Sequence, residues 1–240
     1  MLDVTRPESR RFRHNTLLLM LVICCIFAIV SFYAFSSQRR LEQYAHFTVE
    51  QNADRIRQDV DMYIDSAFSS IQLTAYQAMK QMTAPTLTDP AAILDPLLER
   101  TPFNFIEYID QDGINATDKG ASFDASDREY FQQGIQGRTG IWINYTPRYS
   151  NEYLLNFYTP LYYEDMIAGV LTGTLGADTN VLPLLSSSFF DEPMIGILCD
   201  QDLRLISATF DFENGTTFFD VLDSYGIPAD GQQTFREHIV

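Results

Sequence analysis

Two hydrophobic periods divide the chain. From residue 37 to residue 83 there is no proline or glycine, and apolar side chains recur at Leu41, Tyr44, Phe47, Ala53, Ile56, Val60, Tyr63, Ile64, Ala67, Ile71, Ala75, Ala78 and Met82. The steps are mostly three and four, which gathers these residues on one stripe of an α-helix. The spacing predicts a long amphipathic helix over 37–83, about 60 to 70 Å if unbroken, stopped by Pro85 and Pro90. Its stripe can pack along its own domain and can also form the seam of a homodimer.

From about residue 100 the period shortens. FNFIEYID (103–110) mixes aromatic and β-branched residues and runs into Asp112 and Gly113, a strand entering a turn. GIWINY (140–145), YLLNFYTPLYY (153–163) and MIAGVLTGTLGA (166–177) supply three more strands with short polar connections. Together they predict an α+β fold, an antiparallel meander with helices on one side. Between the first two strands, FDASDREYF reads as the start of a short helix, with Ser126 as N-cap and Glu129 closing a capping box.

A third pattern precedes both. TLLLMLVICCIFAIVSFYAF (16–35) runs 20 residues without a charge, the length of one bilayer crossing. Arg6, Arg10, Arg11 and Arg13 lie before it and only Arg39 and Arg40 directly after it, so residues 1–15 are expected to be a cytoplasmic arm. A cleaved signal peptide and a buried core helix are the alternatives. The run exceeds the 7 to 15 apolar residues typical of a signal peptide and has no A-x-A site, which favours a single-pass plasma-membrane anchor with residues 37–240 outside the cytoplasm.

Charge narrows the function. Lys and Arg number 16 against 32 Asp and Glu, a formal net charge of −16 and a pI near 4.4. Clustered cations for phosphate neutralisation are missing, so nucleic acid is excluded as a partner. Cys24 and Cys25 lie in the apolar run and leave Cys199 as the one thiol beyond it, with His46 and His238 the only histidines there. That composition points to no disulfide framework, no metal site and no cofactor. Sequons at Asn115, Asn144 and Asn214 are within what chance supplies.

The chain also repeats itself. FIEYIDQD (105–112) and IGILCDQD (195–202) share Asp-Gln-Asp at an offset of 90, and ATD (116–118) is echoed by ATF (208–210). Each copy has a strand entering a turn, which predicts two tandem modules, at 84–185 and 190–240. The second stops before its later strands, so that either the module is degenerate or, the favoured expectation, the sequence is a piece of a longer protein.

The residues best suited to hold a ligand lie between Phe123 and Asp178. Arg128 is followed by Tyr130 and Phe131. A guanidinium beside two rings can offer a planar two-donor fork to a carboxylate while the rings exclude water. Arg128 can equally pair with Asp124 or Glu129 at the surface, as helical arginines commonly do.

The order of apolar segment, long helix, DQDG turn, SDREYFQQGIQGRTG and PLYYEDMIAGVLTGTLGAD resembles the extracytoplasmic double Cache sensor domains of bacterial receptors, over roughly residues 37–240. The resemblance implies two stacked PAS-like modules on a long helix, with a small ligand held in the membrane-distal module, here 84–185. An amino-acid-binding subset of that family carries a motif that falls on Phe123, Arg128, Tyr130, Phe131, Tyr145 and Asp178. By that likeness Arg128 and Tyr130 would hold a carboxylate, and Tyr145 and Asp178 an ammonium group. Phe123 and Phe131 lack hydroxyls that the subset uses, which leaves a carboxylate, an amine or another small metabolite open. Asp178 can instead cap a helix at 180–188, and Tyr145 can be an ordinary strand tyrosine.

Other chemistry is absent from the pattern. DQDG (110–113) fails as a calcium loop, because position five is Ile114 and the glycine comes too early. There is no G-x-S-x-G, no phosphate-binding glycine loop and no histidine in the sheet region to act as a base. The expectation is a receptor sensor region and not an enzyme, its cytoplasmic output not encoded here; a membrane-anchored assembly module with a protein partner is the alternative.

Overall fold

The computed structural model describes residues 8–116, 122–147, 151–186, 188–189, 192–193, 195–228 and 231–233, with only the backbone for 8–30 and for 34, 42, 116, 122, 188–189 and 192–193. By its contacts the chain forms two units, Met1–Ala53 and Asp54–Val240. Helix α1 (Glu8–Met79) contributes to both. Most of the expected membrane crossing, 16–30, lies outside the residues with described side chains, as do residues 1–7 of the arm. Among the described residues no helix is long and apolar enough to cross a membrane.

The apolar stripe of α1 is used unevenly. Ala67, Ile71, Ala75 and Ala78 are buried, with Ile56, Val60, Tyr63 and Ile64 packed around them, whereas Leu41, Tyr44 and Phe47 are 62, 68 and 60% exposed. The helix ends at Met79 and not at 83. Its backbone tightens there into i→i−3 bonds, Gln81 N to Ala78 O at 2.9 Å and Met82 N to Met79 O at 3.1 Å. Ala84 then precedes Pro85, which disfavours helical backbone at that position. Helix α2 (Pro90–Leu98) follows, its first turn capped by the Asp89 carboxylate, which accepts from Ala92 N at 3.2 Å.

Six strands form one antiparallel sheet: β1 (Phe105–Asp110), β2 (Ile114–Ala116), β3 (Ser122–Asp124), β4 (Gly140–Asn144), β5 (Leu154–Tyr163) and β6 (Met166–Gly176), in the order β3-β2-β1-β6-β5-β4. Helix α3 (Glu129–Gly134) lies between β3 and β4 in sequence. Helices cover both faces of this sheet and not one. Tyr108, Phe157 and Leu171 pack with α1 and α2, while their sequence neighbours Ile109, Tyr158 and Val170 pack with Tyr130 and Phe131 of α3. The cause is visible in β6, which is buried without interruption from Ala168 to Gly176; a strand apolar on both faces must be covered twice.

After β6 come a π-helical turn (Ala177–Val181), α4 (Leu182–Leu185), and a two-residue pair, β7 (Ser188–Phe189) with β8 (Glu192–Pro193). Strands β9 (Ile197–Cys199) and β10 (Leu205–Ala208) form a separate hairpin, followed by α5 (Phe218–Ser224). Leu198, Ile206 and Phe212 pack onto the α1-facing core.

The repeat is a repeat of turn geometry. In the first copy, Asp110 Oδ1 accepts from Asp112 N at 3.0 Å and Ile114 N at 2.9 Å, and Gly113 N donates to Asp110 O at 3.1 Å. In the second, Asp200 Oδ1 accepts from Asp202 N at 2.9 Å and Arg204 N at 2.8 Å, and Leu203 N donates to Asp200 O at 3.0 Å. Gly113 (φ +82°) and Leu203 (φ +60°) occupy the same left-handed position. The aspartate in each copy closes the turn as an acceptor for two backbone amides, which is why Asp-Gln-Asp recurs. The ATD and ATF echo extends into residues 117–118, outside the described residues.

Candidate functional site

The α3 face of the sheet is built from alternate residues. In β1 these are Glu107 and Ile109; the register places Thr172 opposite Glu107 and Val170 opposite Ile109 in β6, then Tyr158 opposite Thr172 in β5. Trp142 lies across from Asn156, which lies across from Thr174. Thr174 Oγ1 donates to Asn156 Oδ1 at 2.8 Å. Helix α3 lies directly on this surface because residue 134 is glycine, where a Cβ would meet the Val170 methyls at 2.7 and 2.8 Å.

Four of the six sequence-predicted ligand residues meet on this face. Phe123 in β3 packs with Phe131 and Tyr130, both buried. The Tyr130 ring stands 5.2 Å from that of Trp142, inclined at 46°. Its phenol is pushed up to about 12, by burial first and then by the Glu107 carboxylate, with the Arg128 guanidinium acting the other way. Arg128 stands at the N-terminus of α3 with its side chain one-third exposed, and its Nε lies 3.7 Å from Asp127 Oδ1. This is a surface ion pair, as the alternative reading had it, but with Asp127, which is 83% exposed, as the partner and not Asp124 or Glu129. A cation, a carboxylate and a phenol are thus gathered beside an indole.

The capping box expected at Ser126 and Glu129 is not formed. Asp124 Oδ1 accepts from Ser126 N at 2.8 Å, and Arg128 N donates to Ala125 O at 2.9 Å. This turn consumes the residues that would have opened the helix, so α3 starts at Glu129 with Arg128 as an N-cap that makes no side-chain cap. A capping box does form at α5, where Thr217 Oγ1 accepts from Asp220 N and Asp220 Oδ2 accepts from Thr217 N at 2.7 Å.

Tyr145 and Asp178 lie elsewhere. Ile141 and Ile143 of β4 pack in the α1-facing core, and Tyr145 continues that parity. Its hydroxyl donates to Asp200 Oδ2, the Arg204 guanidinium lies 4.8 Å above its ring, and the Tyr153 ring meets it edge-on at 5.1 Å. Burial, then the bond to Asp200, raises its pKa well above the ordinary tyrosine value. Asp178 caps no helix at 180–188; it sits inside the π-helical turn and accepts from Ser207 Oγ at 2.8 Å. It lines a cleft of ≈ 290 Å³ with Glu152, Tyr153, Ile206, Phe210 and Phe212. Glu152 there accepts from Thr179 N and Oγ1, both at 2.8 Å. Asp178 therefore ties the turn after β6 to the second hairpin, and Glu152 ties the segment before β5 to the same turn.

Sequence reasoning missed Glu107, Trp142 and Asn115. Glu107 is the one charge inside FIEYI, and Trp142 the one tryptophan of the chain. Strand parity with Val170 and Tyr158 would have put Glu107 and Trp142 on the α3 face.

No family model and no curated protein sequence matches the chain. Solved structures do. The ligand-binding domain of the Campylobacter jejuni chemoreceptor Tlp3, in complex with L-norvaline, aligns with a TM-score of 0.57 at 14% identity over 75% of this chain and 77% of that one. The ligand-binding domain of the Pseudomonas aeruginosa amino acid chemoreceptor PctB, in complex with L-Arg, aligns at 0.55 and 20% identity over 75% and 76%. That of PctC from the same organism, in complex with GABA, aligns at 0.55 and 14% over 75% and 80%. The chain thus has the fold of bacterial chemoreceptor sensory domains.

Proposed function

We propose that this chain is the sensing region of a bacterial membrane receptor, and that it binds a small metabolite, an amino acid or small carboxylate, on the α3 face of its six-stranded sheet. The observation that carries this reading is the aromatic cluster of Phe123, Tyr130, Phe131 and Trp142 on that face, with Arg128 at the N-terminus of α3 and Glu107 on the same face of β1. Two opposite charges beside an indole and a phenyl ring match the two ends of a zwitterion, with aromatic walls to exclude water. Arg128 and Tyr130 are assigned to the ligand carboxylate, Phe123 and Phe131 to its apolar part. Glu107 takes the ammonium role that the resemblance had implied for Tyr145 and Asp178.

In the same reading 16–35 is a single membrane crossing, 1–15 is cytoplasmic, and 37–240 is outside. Residues 84–185 form the ligand-binding module and 190–240 a second one. Two copies pair through α1, where Leu41, Tyr44 and Phe47 leave an apolar stripe exposed. Ligand closure over the α3 face would shift the sheet against α1 and so bias the helix toward one of two positions.

Thermal unfolding of the full chain in detergent micelles tests the binding step, as wild type and as Arg128→Ala, against amino acids, simple carboxylates and amines. A ligand at 100 times its Kd stabilises by about 2.7 kcal/mol, and the Tm should rise accordingly. Loss of that rise in Arg128→Ala, with the ligand-free Tm unchanged, is the expected result. A cooperative unfolding transition that no small molecule moves would favour the assembly module instead.

A further inference from the structure

Asn115 stands apart from the other buried polar groups. It is 0% exposed, and neither its Nδ2 nor its Oδ1 has a hydrogen-bond partner among the described residues. Thr174, equally buried on the α3 face, is paired with Asn156. A buried amide left unmatched on both sides is costly and rarely kept without a role. Nor does strand formation favour asparagine here. Its burial also removes the Asn115 sequon as an accessible glycan acceptor.

The register says where it points. Asn115 lies directly across from Ile109 in β1 and from Phe123 in β3. Residues opposed in this way share a face, and both of these partners pack with Tyr130 and Phe131. The unmatched amide is therefore aimed into the cluster that carries the proposed ligand site.

We propose that Asn115 selects the ligand: it recognises a group that presents a hydrogen-bond donor and an acceptor side by side, the edge of a carboxamide or of an aminopurine. This rests on the ligand site assigned above. A carboxylate would satisfy only Nδ2 and an ammonium only Oδ1, whereas a carboxamide-type edge pairs with both at once. Arg128 and Glu107 remain for the zwitterionic end of the molecule, so an α-amino acid with a carboxamide side chain satisfies all three groups, and adenine only Asn115.

The test is calorimetric titration of the full chain in detergent micelles with L-glutamine, L-glutamate, L-methionine, adenine and L-valine, alongside ligand-free thermal unfolding. The wild type should bind L-glutamine about tenfold or more tighter than L-glutamate or L-methionine, since a site built for a polar group rejects analogues that leave it unpaired. In Asn115→Leu that preference should vanish while the ligand-free Tm holds or rises, because an unmatched amide has been removed. Asn115→Thr, which keeps a residue suited to a strand, carries the same test if the leucine variant does not fold. Adenine binding that is tightest in the wild type and lost in both variants supports the same recognition with a purine as its source. A preference that survives both substitutions overturns the proposal, as does a large fall in ligand-free Tm with the preference intact. Binding of L-valine but of neither L-glutamine nor adenine overturns it and leaves the sensor reading standing; binding of none of the five overturns it as well, and the sensor reading falls with it only if the wider screen by thermal unfolding also finds no ligand.

Discussion

The two Asp-Gln-Asp hairpins share one turn and differ in what they are joined to. The first turn ends strands that run into a six-stranded sheet, and Asp110 Oδ1 accepts from the local backbone amides of Asp112 and Ile114. The second joins two short strands, and Asp200 also accepts the Tyr145 hydroxyl from the edge of the first sheet. One local motif has thus been kept for closure in one place and given a tertiary bond in the other. The left-handed position shows the same divergence, glycine in the first copy and leucine in the second.

The largest effect expected from this comparison is at Gly113. A Cβ there would meet Ser126 Cβ at 2.7 Å and Ser126 Cα at 2.8 Å, at a φ of +82°. Gly113→Ala should cost about 3 kcal/mol, read by urea unfolding, whereas Leu203→Gly should not destabilise. Asp200→Ala comes next, at about 1 to 2 kcal/mol, and should exceed Asp110→Ala because it also removes the acceptor of the half-buried Tyr145 hydroxyl. In a Tyr145→Phe background the two aspartate substitutions should become equal; a persistent difference would mean that the hydroxyl bond is not what separates the hairpins.

Smaller effects sharpen the contrast. Thr217→Ala removes the capping box of α5 and should cost about 1 kcal/mol. Leu203→Gly should stabilise by about 1 kcal/mol, the relief of a left-handed backbone carrying a side chain, offset in part by the flexibility that glycine adds to the unfolded chain. Last is the alkaline limb. The folded-state pKa of Tyr130 lies above that of an unfolded tyrosine, so its contribution is complete below about 10 and is lost as pH rises toward about 12. Tm measured across that window should fall less steeply in Tyr130→Phe than in the wild type.

Legibility followed the range of the interaction. The strands at 103–110, 140–145, 153–163 and 166–177 were readable because alternation and turn residues are local signals, and β1, β4, β5 and β6 fall within one or two residues of them. The chemoreceptor-type fold was readable from the order of its segments. The sheet's second helical cover was less so, since an unbroken apolar strand says that both faces are buried and not by what. Of the six candidate ligand residues, the four close together in sequence, Phe123, Arg128, Tyr130 and Phe131, are also together in space, because β3 and α3 are consecutive elements. Tyr145 and Asp178 were inferred by motif position alone, and each is drawn to the second hairpin by a partner some 30 to 55 residues away, Ser207 at a separation of 29 and Asp200 at 55.

What the sequence determined by itself is therefore periodicity, turn chemistry and the repeat, all of which depend on residues within a few positions of one another. Which face each strand residue serves, and whether a polar side chain finds a partner inside the protein, were decided by tertiary structure. A shift of one residue in strand parity exchanges the α1 side for the α3 side. That parity turns Tyr145 toward Asp200 and brings Glu107, Trp142 and the unmatched Asn115 to the face where Arg128 and Tyr130 stand.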